Sequence, residues 1–101
     1  MKVTYLSSAA ILVETDDAAL LCDPWLVDGA FYGSWAHYPP LEVEPEEFDD
    51  VDGIYISHIH PDHFDPATLR RMNTDVPVYV HDYRWDYLRD EIEDLGFEVH
   101  E

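Results

Sequence analysis

The apolar positions of this chain occur in short runs separated by acidic residues, a pattern typical of brief strands and helices. The run Gly53-Ile54-Tyr55-Ile56 is apolar and β-rich, which predicts a buried strand. Two later runs, residues 76–81 and 97–100, predict further strands. Between the strands predicted at residues 53–56 and 76–81, Asp65 precedes Pro66. This order is typical of a helix start, so the sequence predicts a short helix over residues 66–72.

A second helix is predicted after Asp82, because apolar residues recur there at helical spacing with acidic residues on the other faces. We expect this apolar stripe to be core rather than a cofactor site, and Gly96 to end the helix. The stripe consists of Trp85, Leu88, Ile92 and Leu95. The resulting order of strand, helix, strand, helix, strand predicts an α/β fold with helices on one face of a sheet.

The first half of the chain predicts turns and one long loop. Turns are expected at Ser7-Ser8 and at residues 15–17, where Asp favours a reversal of the chain. The loop over residues 24–50 is rich in aromatic residues, and two interpretations stay open: a wall of a substrate pocket, or a cluster that covers the sheet. Its aromatic and proline residues are Trp25, Phe31, Tyr32, Trp35, Tyr38, Pro39 and Pro40. His37, in the same loop, is expected to be solvent-facing or packed.

Length and composition place the chain among globular proteins. Its 101 residues indicate one domain or part of one, and 47% of them are hydrophobic, which argues against disorder. No run approaches the roughly 18–20 apolar residues of a membrane-spanning helix. Residues 9–13 are too short for a signal-peptide core, so we expect a cytoplasmic protein without a membrane partner. The single cysteine, Cys22, excludes an internal disulfide and is expected to be a small buried hydrophobe.

The charge balance is strongly acidic, with 23 acidic against 5 basic residues and a net charge of −18. The acids are spread along the chain, which indicates a salt-adapted surface rather than an interaction tail. Molar salt shortens the Debye length to about 3 Å and screens this self-repulsion. We therefore expect a halophilic source with a salt-rich cytoplasm. No basic patch is present, so nucleic acid is not an expected partner.

The run from Ser57 to His63 contains the candidate metal-binding residues of the chain. It contains His58, His60, Asp62 and His63, which are side-chain types that bind Zn²⁺, Fe²⁺ or Mn²⁺. The run follows a predicted strand, a common position for active sites in α/β proteins. His58 and His60 are two residues apart and could share one metal, while Asp62 and His63 would face a second metal beside it. The alternative is a polar surface loop that happens to be His-rich, and the presence of a full ligand set favours the metal site over it.

The sequence His58-Ile59-His60-Pro61-Asp62-His63 resembles the H-x-H-x-D-H motif of the metallo-β-lactamase superfamily. That resemblance implies an αββα sandwich and a site with two metal ions, expected to be zinc, with iron or manganese as alternatives. It implies that His58 and His60 bind the first metal, and Asp62 and His63 the second. It also implies that Asp62 orients or deprotonates the attacking water. Asp23 is a candidate acceptor that orients one of the histidines.

The resemblance also extends to the opening of the chain. Residues 2–6, 10–14 and 18–22 would be the antiparallel opening strands of the family, and residues 23–26 the turn that follows. Residues 20–26, together with Ala30-Phe31 and Trp35, are loosely similar to the CMP-N-acetylneuraminate hydroxylase-like and lactonase-like branches. The hydroxylase branch carries a Rieske cluster, which this chain with its single cysteine cannot supply.

The resemblance covers only the first half of the family fold. The third His, the bridging Asp and the last His of the family's ligand set are absent, so we expect a single domain truncated at its C-terminus. The missing second half, or a partner chain, would be needed to complete the site. We therefore expect a metal-dependent hydrolase of a small ester, lactone or phosphoester, with this fragment alone inactive. The alternatives are a non-catalytic half-domain and a di-iron oxidoreductase module.

Overall fold

The computed structural model describes residues 1–28, 36–38 and 41–101. Within these residues six strands form one sheet, in which their spatial order follows their order in the chain. The strands are β1 (Lys2–Ser7), β2 (Ala10–Glu14), β3 (Ala19–Cys22), β4 (Gly53–Ile56), β5 (Val78–Val80) and β6 (Val99–His100). The helices are α1 (Pro66–Arg70) and α2 (Tyr87–Asp94), and a 3₁₀ turn spans Pro45–Phe48.

The sheet is antiparallel in its first part and parallel in the rest. The strands β1, β2 and β3 form a meander, whereas β3, β4, β5 and β6 are parallel to one another. The first turn places Ser8 at a φ of 52°, and the second is closed by the amide of Thr15, which donates to the Ala18 carbonyl at 2.8 Å. The predicted opening strands and crossover order are therefore confirmed.

One face of the sheet packs against the helices. Leu21, Ile54 and Val78 lie side by side on β3, β4 and β5, and all three are fully buried. Leu69 of α1 and Ile92 of α2 belong to the same buried cluster. This face is the hydrophobic core, and it fixes β3 and β4 relative to each other.

The opposite face of the sheet is apolar but partly open to solvent in the described part of the chain. The register places Tyr5, Ile11, Cys22, Tyr55, Tyr79 and His100 in one lateral row, and neighbours in such a row share a face. Tyr5 is 69% exposed and Tyr79 42% exposed. In a chain with 23 acidic residues, this row contains no carboxylate. We call it the open sheet face.

The second helix differs from its prediction. It begins at Tyr87 rather than just after Asp82, and Trp85 is 72% exposed, so its assignment to the core was wrong. The physical reason is a tertiary contact: the Tyr83 hydroxyl donates to the Ser57 carbonyl and holds the preceding segment in a non-helical path. Leu88 and Ile92 are buried as predicted, and Gly96 ends the helix with a φ of 99°.

The first helix begins at Pro66 as predicted and ends at Arg70 rather than at residue 72. The Asp65 side chain caps α1 by accepting from the Thr68 amide at 3.2 Å. In the loop, Trp25 is buried while Tyr38 is 97% exposed, and the predictions for Ala30, Phe31, Tyr32, Trp35, Pro39 and Pro40 lie outside the described residues. The His37 side chain is packed, with its ring centroid 3.9 Å from that of Trp25.

Candidate metal centre

The predicted ligand run begins where β4 ends, beside the end of β3. Because β3 and β4 are parallel, the residues that follow them meet at one edge of the sheet. Asp23 follows β3 and Ser57 follows β4, and the amide of Asp23 donates to the Tyr55 carbonyl at 2.7 Å. Asp23 has a φ of 46°, a left-handed conformation that Asp tolerates better than most residues. This bend aims its side chain across the sheet edge towards the run.

A tight turn gathers the histidines. The His60 carbonyl accepts from the amides of His63 at 2.9 Å and Phe64 at 2.8 Å, so the chain reverses directly after Ile59. The ring centroid of His63 lies 3.9 Å from that of His58, and the ring centroid of His60 lies 4.6 Å from that of His58. The predicted ligands of the first and second metals thus lie in one cluster.

Asp23 is the acceptor that holds this cluster together. It is only 8% exposed, and its two carboxylate oxygens accept three hydrogen bonds. Oδ1 accepts from the Ser57 amide at 2.7 Å, while Oδ2 accepts from the Ser57 hydroxyl at 2.8 Å and from His63 Nδ1 at 2.9 Å. The prediction that Asp23 orients one of the histidines agrees with this contact to His63.

The hydrogen bonds determine which ring nitrogens carry protons. A carboxylate only accepts, so His63 Nδ1 must carry the hydrogen that it shares with Asp23. The Ser57 hydroxyl gives its single hydrogen to Asp23, so its oxygen accepts from His58 Nδ1 at 2.8 Å. Both imidazoles therefore leave their Nε2 lone pair available, and this is the form in which a histidine binds a metal.

The electrostatics of His58 favour the same form. Burial lowers the pKa of His58 below its ordinary value, and the neighbouring rings of His63 and His60 lower it further. Asp23 and Asp62 oppose this effect and do not overcome it. A lowered pKa keeps His58 neutral at physiological pH, so its ring is ready to act as a ligand.

Asp62 stands at the edge of the cluster. Its Oδ2 lies 3.6 Å from His63 Nε2, which is too long for a hydrogen bond and leaves the carboxylate partly exposed. Three imidazoles and a carboxylate fit Zn²⁺, Fe²⁺ or Mn²⁺ in donor chemistry. However, no three His, Cys, Asp or Glu residues among those described are arranged to hold a metal ion. The assignment of His58, His60, Asp62 and His63 as ligands therefore stays a prediction.

The structure adds two residues to which the sequence assigned no role. Ser57 links His58 to Asp23, and its position at the start of the run was the available signal. Tyr83 donates to the Ser57 carbonyl from 26 residues away, and nothing in its local sequence indicated this contact. The later histidines lie elsewhere: the His81 ring packs on Tyr83, and the His100 ring stacks on Tyr79.

Cys22 is only half-buried, somewhat more accessible than predicted. Burial, followed by the adjacent charge of Asp23, raises the pKa of its thiol. We find no helix in the described ranges that is long and apolar enough to cross a membrane.

Comparison with known proteins identifies relatives over most of the chain. A protein of Mycolicibacterium smegmatis described as a Rieske 2Fe-2S iron-sulfur protein is 43% identical over 99 residues, which cover 96% of this chain and 19% of that protein. Cytidine monophosphate-N-acetylneuraminic acid hydroxylase of Asterias rubens is 37% identical over 87 residues, covering 81% of this chain and 13% of the enzyme. The similarity to the hydroxylase branch is therefore confirmed.

A solved structure shows the same fold. The crystal structure of isothiocyanate hydrolase from Delia radicum gut bacteria matches with a TM-score of 0.78 at 24% identity, covering all of this chain and 42% of that chain. The chain thus spans about a fifth or less of the relatives named above, and less than half of this hydrolase. Residues 19–101 match the family model of the beta-lactamase superfamily domain. The chain belongs to the beta-lactamase superfamily, and its mixed six-stranded sheet is part of that fold.

Proposed function

We propose that this chain supplies a metal-binding portion of a hydrolase that acts on a small ester, lactone or phosphoester. The observation that carries the proposal is the hydrogen-bond chain from His58 through Ser57 to Asp23 and back to His63. It leaves two Nε2 atoms available on adjacent rings, and this is the form in which a histidine binds a metal. The hydrolase fold of the isothiocyanate hydrolase supports the reaction class.

The residues have distinct roles in this proposal. His58 and His60 would hold one metal ion, and Asp62 and His63 a second, with zinc expected at both and iron or manganese as alternatives. When bound, such ions polarise the substrate and lower the pKa of water towards about 7. The Asp62 carboxylate is partly exposed beside His63 Nε2, where it can accept a proton from the attacking water. Asp23 fixes the His63 ring throughout.

We further propose that additional donors complete the site, from a further segment of the fold or from a partner chain. The described histidines and carboxylates do not close around a metal ion by themselves. The open sheet face supports the idea that something packs there, because Tyr5 and Tyr79 expose aromatic surface in a row without a carboxylate. Without that completion, the fragment would be the non-catalytic half-domain.

The acidic surface supports the proposal that the protein folds and functions in a salt-rich cytoplasm. Two of the five basic residues are already surrounded by carboxylates: Arg71 contacts Glu44 and Glu46, and Arg89 contacts Glu93 and Glu101. Among the described residues no other acid forms an ion pair with an arginine or a lysine, so the remaining acids require counterions.

A second candidate function is a di-iron oxidoreductase module in the same ligand frame. Two relatives favour it, since one is described as a Rieske iron–sulfur protein and the other is a hydroxylase. Metal identity separates the two candidates. Iron with redox activity supports the oxidoreductase, whereas zinc or manganese with hydrolytic turnover supports the hydrolase.

His60→Ala tests the hydrolase directly. His60 is exposed, and among the described residues its ring makes no hydrogen bond, so the substitution removes a donor without breaking the Asp23 network. With His60→Ala made in the protein whose site is complete, we expect loss of bound metal by elemental analysis, and loss of turnover on a panel of esters, lactones and phosphoesters. His100→Ala, at an exposed histidine outside the cluster, is the matched control. Wild-type metal content and turnover in His60→Ala would refute the role.

A further inference from the structure

A cavity of about 200 Å³ opens beside the histidine cluster. Its lining is mostly aromatic and apolar, and His58 is the only lining residue that belongs to the predicted ligand set. The lining residues are His58, Ile59, Tyr83, Trp85, Tyr87 and Leu88. A molecule in this cavity would therefore contact aromatic side chains on one side and the candidate metal centre on the other.

The segment that builds the cavity is held in place at both ends. Tyr83 donates its hydroxyl hydrogen to the Ser57 carbonyl, and the buried Leu88 anchors the start of α2. Between these anchors, Trp85 is 72% exposed and Tyr87 is also largely exposed. Large aromatic side chains gain by leaving water, so two of them exposed side by side at a cavity indicate a binding surface.

A positive charge stands next to this cavity. The guanidinium carbon of Arg84 lies 5.0 Å from the centroid of the Trp85 ring, a cation–π distance. Arg71 and Arg89 are each bound by carboxylates, whereas Arg84 makes no salt bridge with any carboxylate in the described part of the chain. In the described part of the chain Lys2 and Arg70 also form no salt bridge, so Arg84 is distinguished by its contact with Trp85, which lines the cavity.

We propose that the cavity binds the flat ring of an aromatic or heteroaromatic substrate that carries an anionic group. The ring would stack against Trp85 and Tyr87, and Arg84 would bind the anionic group. Benzene fits a cavity of roughly 150 Å³, so the volume here accepts one substituted ring. The inference rests on the proposed function in one respect: a ring held here places its reacting bond at His58.

Binding to the metal-free chain tests this proposal. Phenyl phosphate is titrated in the presence of a chelator, and the affinity is read from backbone amide shifts by NMR. Methyl phosphate and benzyl alcohol are the comparison probes, lacking the ring and the charge respectively. We expect phenyl phosphate to bind more tightly than either, with the largest shifts in residues 83–88.

Two variants with matched controls separate the parts of the site. Trp85→Ala should weaken phenyl phosphate binding about tenfold, as expected for loss of one stacking ring. Tyr38→Ala, at another exposed aromatic residue, should leave it within twofold. Arg84→Gln should reduce the affinity for phenyl phosphate towards that for benzyl alcohol, while Arg70→Gln, at an exposed arginine of α1, should not.

The outcomes are distinguishable from those of the hydrolase test. Equal affinity for phenyl and methyl phosphate, or an unchanged affinity in Trp85→Ala, would overturn the ring site. An unchanged affinity in Arg84→Gln would overturn the anionic preference. Because the chelator removes metal, these results do not depend on whether His60→Ala loses turnover. A protein that hydrolyses esters with bound metal but ignores phenyl phosphate would overturn only this inference.

Discussion

The role of Asp23 makes a quantitative prediction about the His63 ring. Asp23→Asn keeps the shape of the side chain, and Asn tolerates the left-handed φ of 46° at this position. The amide oxygen can still accept from the Ser57 amide, as Oδ1 does at 2.7 Å. The amide nitrogen, however, would take the place of Oδ2 and present a donor to His63 Nδ1, which now donates at 2.9 Å.

The magnitude follows from the lost charged hydrogen bond. Hydrogen bonds to charged groups contribute about 1.5–3 kcal/mol, which corresponds to a roughly 10- to 150-fold preference for the Nδ1–H tautomer. In Asp23→Asn that preference disappears, and the donor amide favours hydrogen on Nε2 instead. Since Nε2 is the nitrogen available for metal, we expect the affinity for Zn²⁺ to fall about 10- to 100-fold.

The tautomer can be observed without any metal. Two-dimensional ¹⁵N–¹H NMR at about pH 8, where ordinary imidazoles are neutral, distinguishes the two ring nitrogens of each histidine. We expect His63 to carry its hydrogen on Nδ1 in the wild type and on Nε2 in Asp23→Asn. Competition with a chromogenic chelator then gives the change in zinc affinity.

The matched control is Asp28→Asn, which breaks another Asp–His pair. Asp28 accepts from the amide and from Nδ1 of His37, both at 2.8 Å, at a position outside the ligand run. That variant should leave the His63 tautomer and the zinc affinity within twofold of the wild type. If His63 kept hydrogen on Nδ1 in Asp23→Asn, or if zinc affinity were unchanged there, the reasoning would be refuted.

Two further predictions concern Ser57 and the surface charge. Ser57→Ala should change the tautomer signal of His58 but not that of His63, because His63 keeps its hydrogen bond to Asp23. It should lower the free energy of unfolding, measured in urea, by about 1 kcal/mol. An altered His63 signal would contradict the separate roles of Ser57 and Asp23. The free energy of unfolding should rise as KCl increases towards molar concentration, because a net charge of −18 repels itself until salt screens it. A stability independent of KCl, measured by urea titration, would rule out the salt-adapted interpretation.

Local chemistry made much of the fold predictable. The strand Gly53–Ile56 was predicted with its observed bounds, because a short apolar run rich in β-forming residues favours a buried strand. The start of α1 was predictable because Asp65 and Pro66 act within one turn, and the end of α2 because Gly96 adopts a φ of 99°. Each of these strand and helix bounds depends on residues that are adjacent in the chain, so the local sequence is enough to predict it.

The segment before α2 could not be predicted in this way. The helical spacing of Trp85 with Leu88 and Ile92 was real, yet Trp85 lies outside the helix. The contact of Tyr83 with the Ser57 carbonyl decides the path of this segment, and it joins residues 26 positions apart. A local pattern cannot predict such a contact, because its free energy depends on where another strand ends.

The order of residues along the chain was enough to predict the family, the order of strands and helices, and the donor groups of the candidate site. How these donors are held depends on contacts that the fold creates. Asp23 lies 34 residues from Ser57 and 40 from His63, and the parallel pairing of β3 with β4 brings them into contact. The physical reason is that a hydrogen bond requires atoms within about 3 Å, a distance that the register of the sheet sets and that spacing along the chain does not.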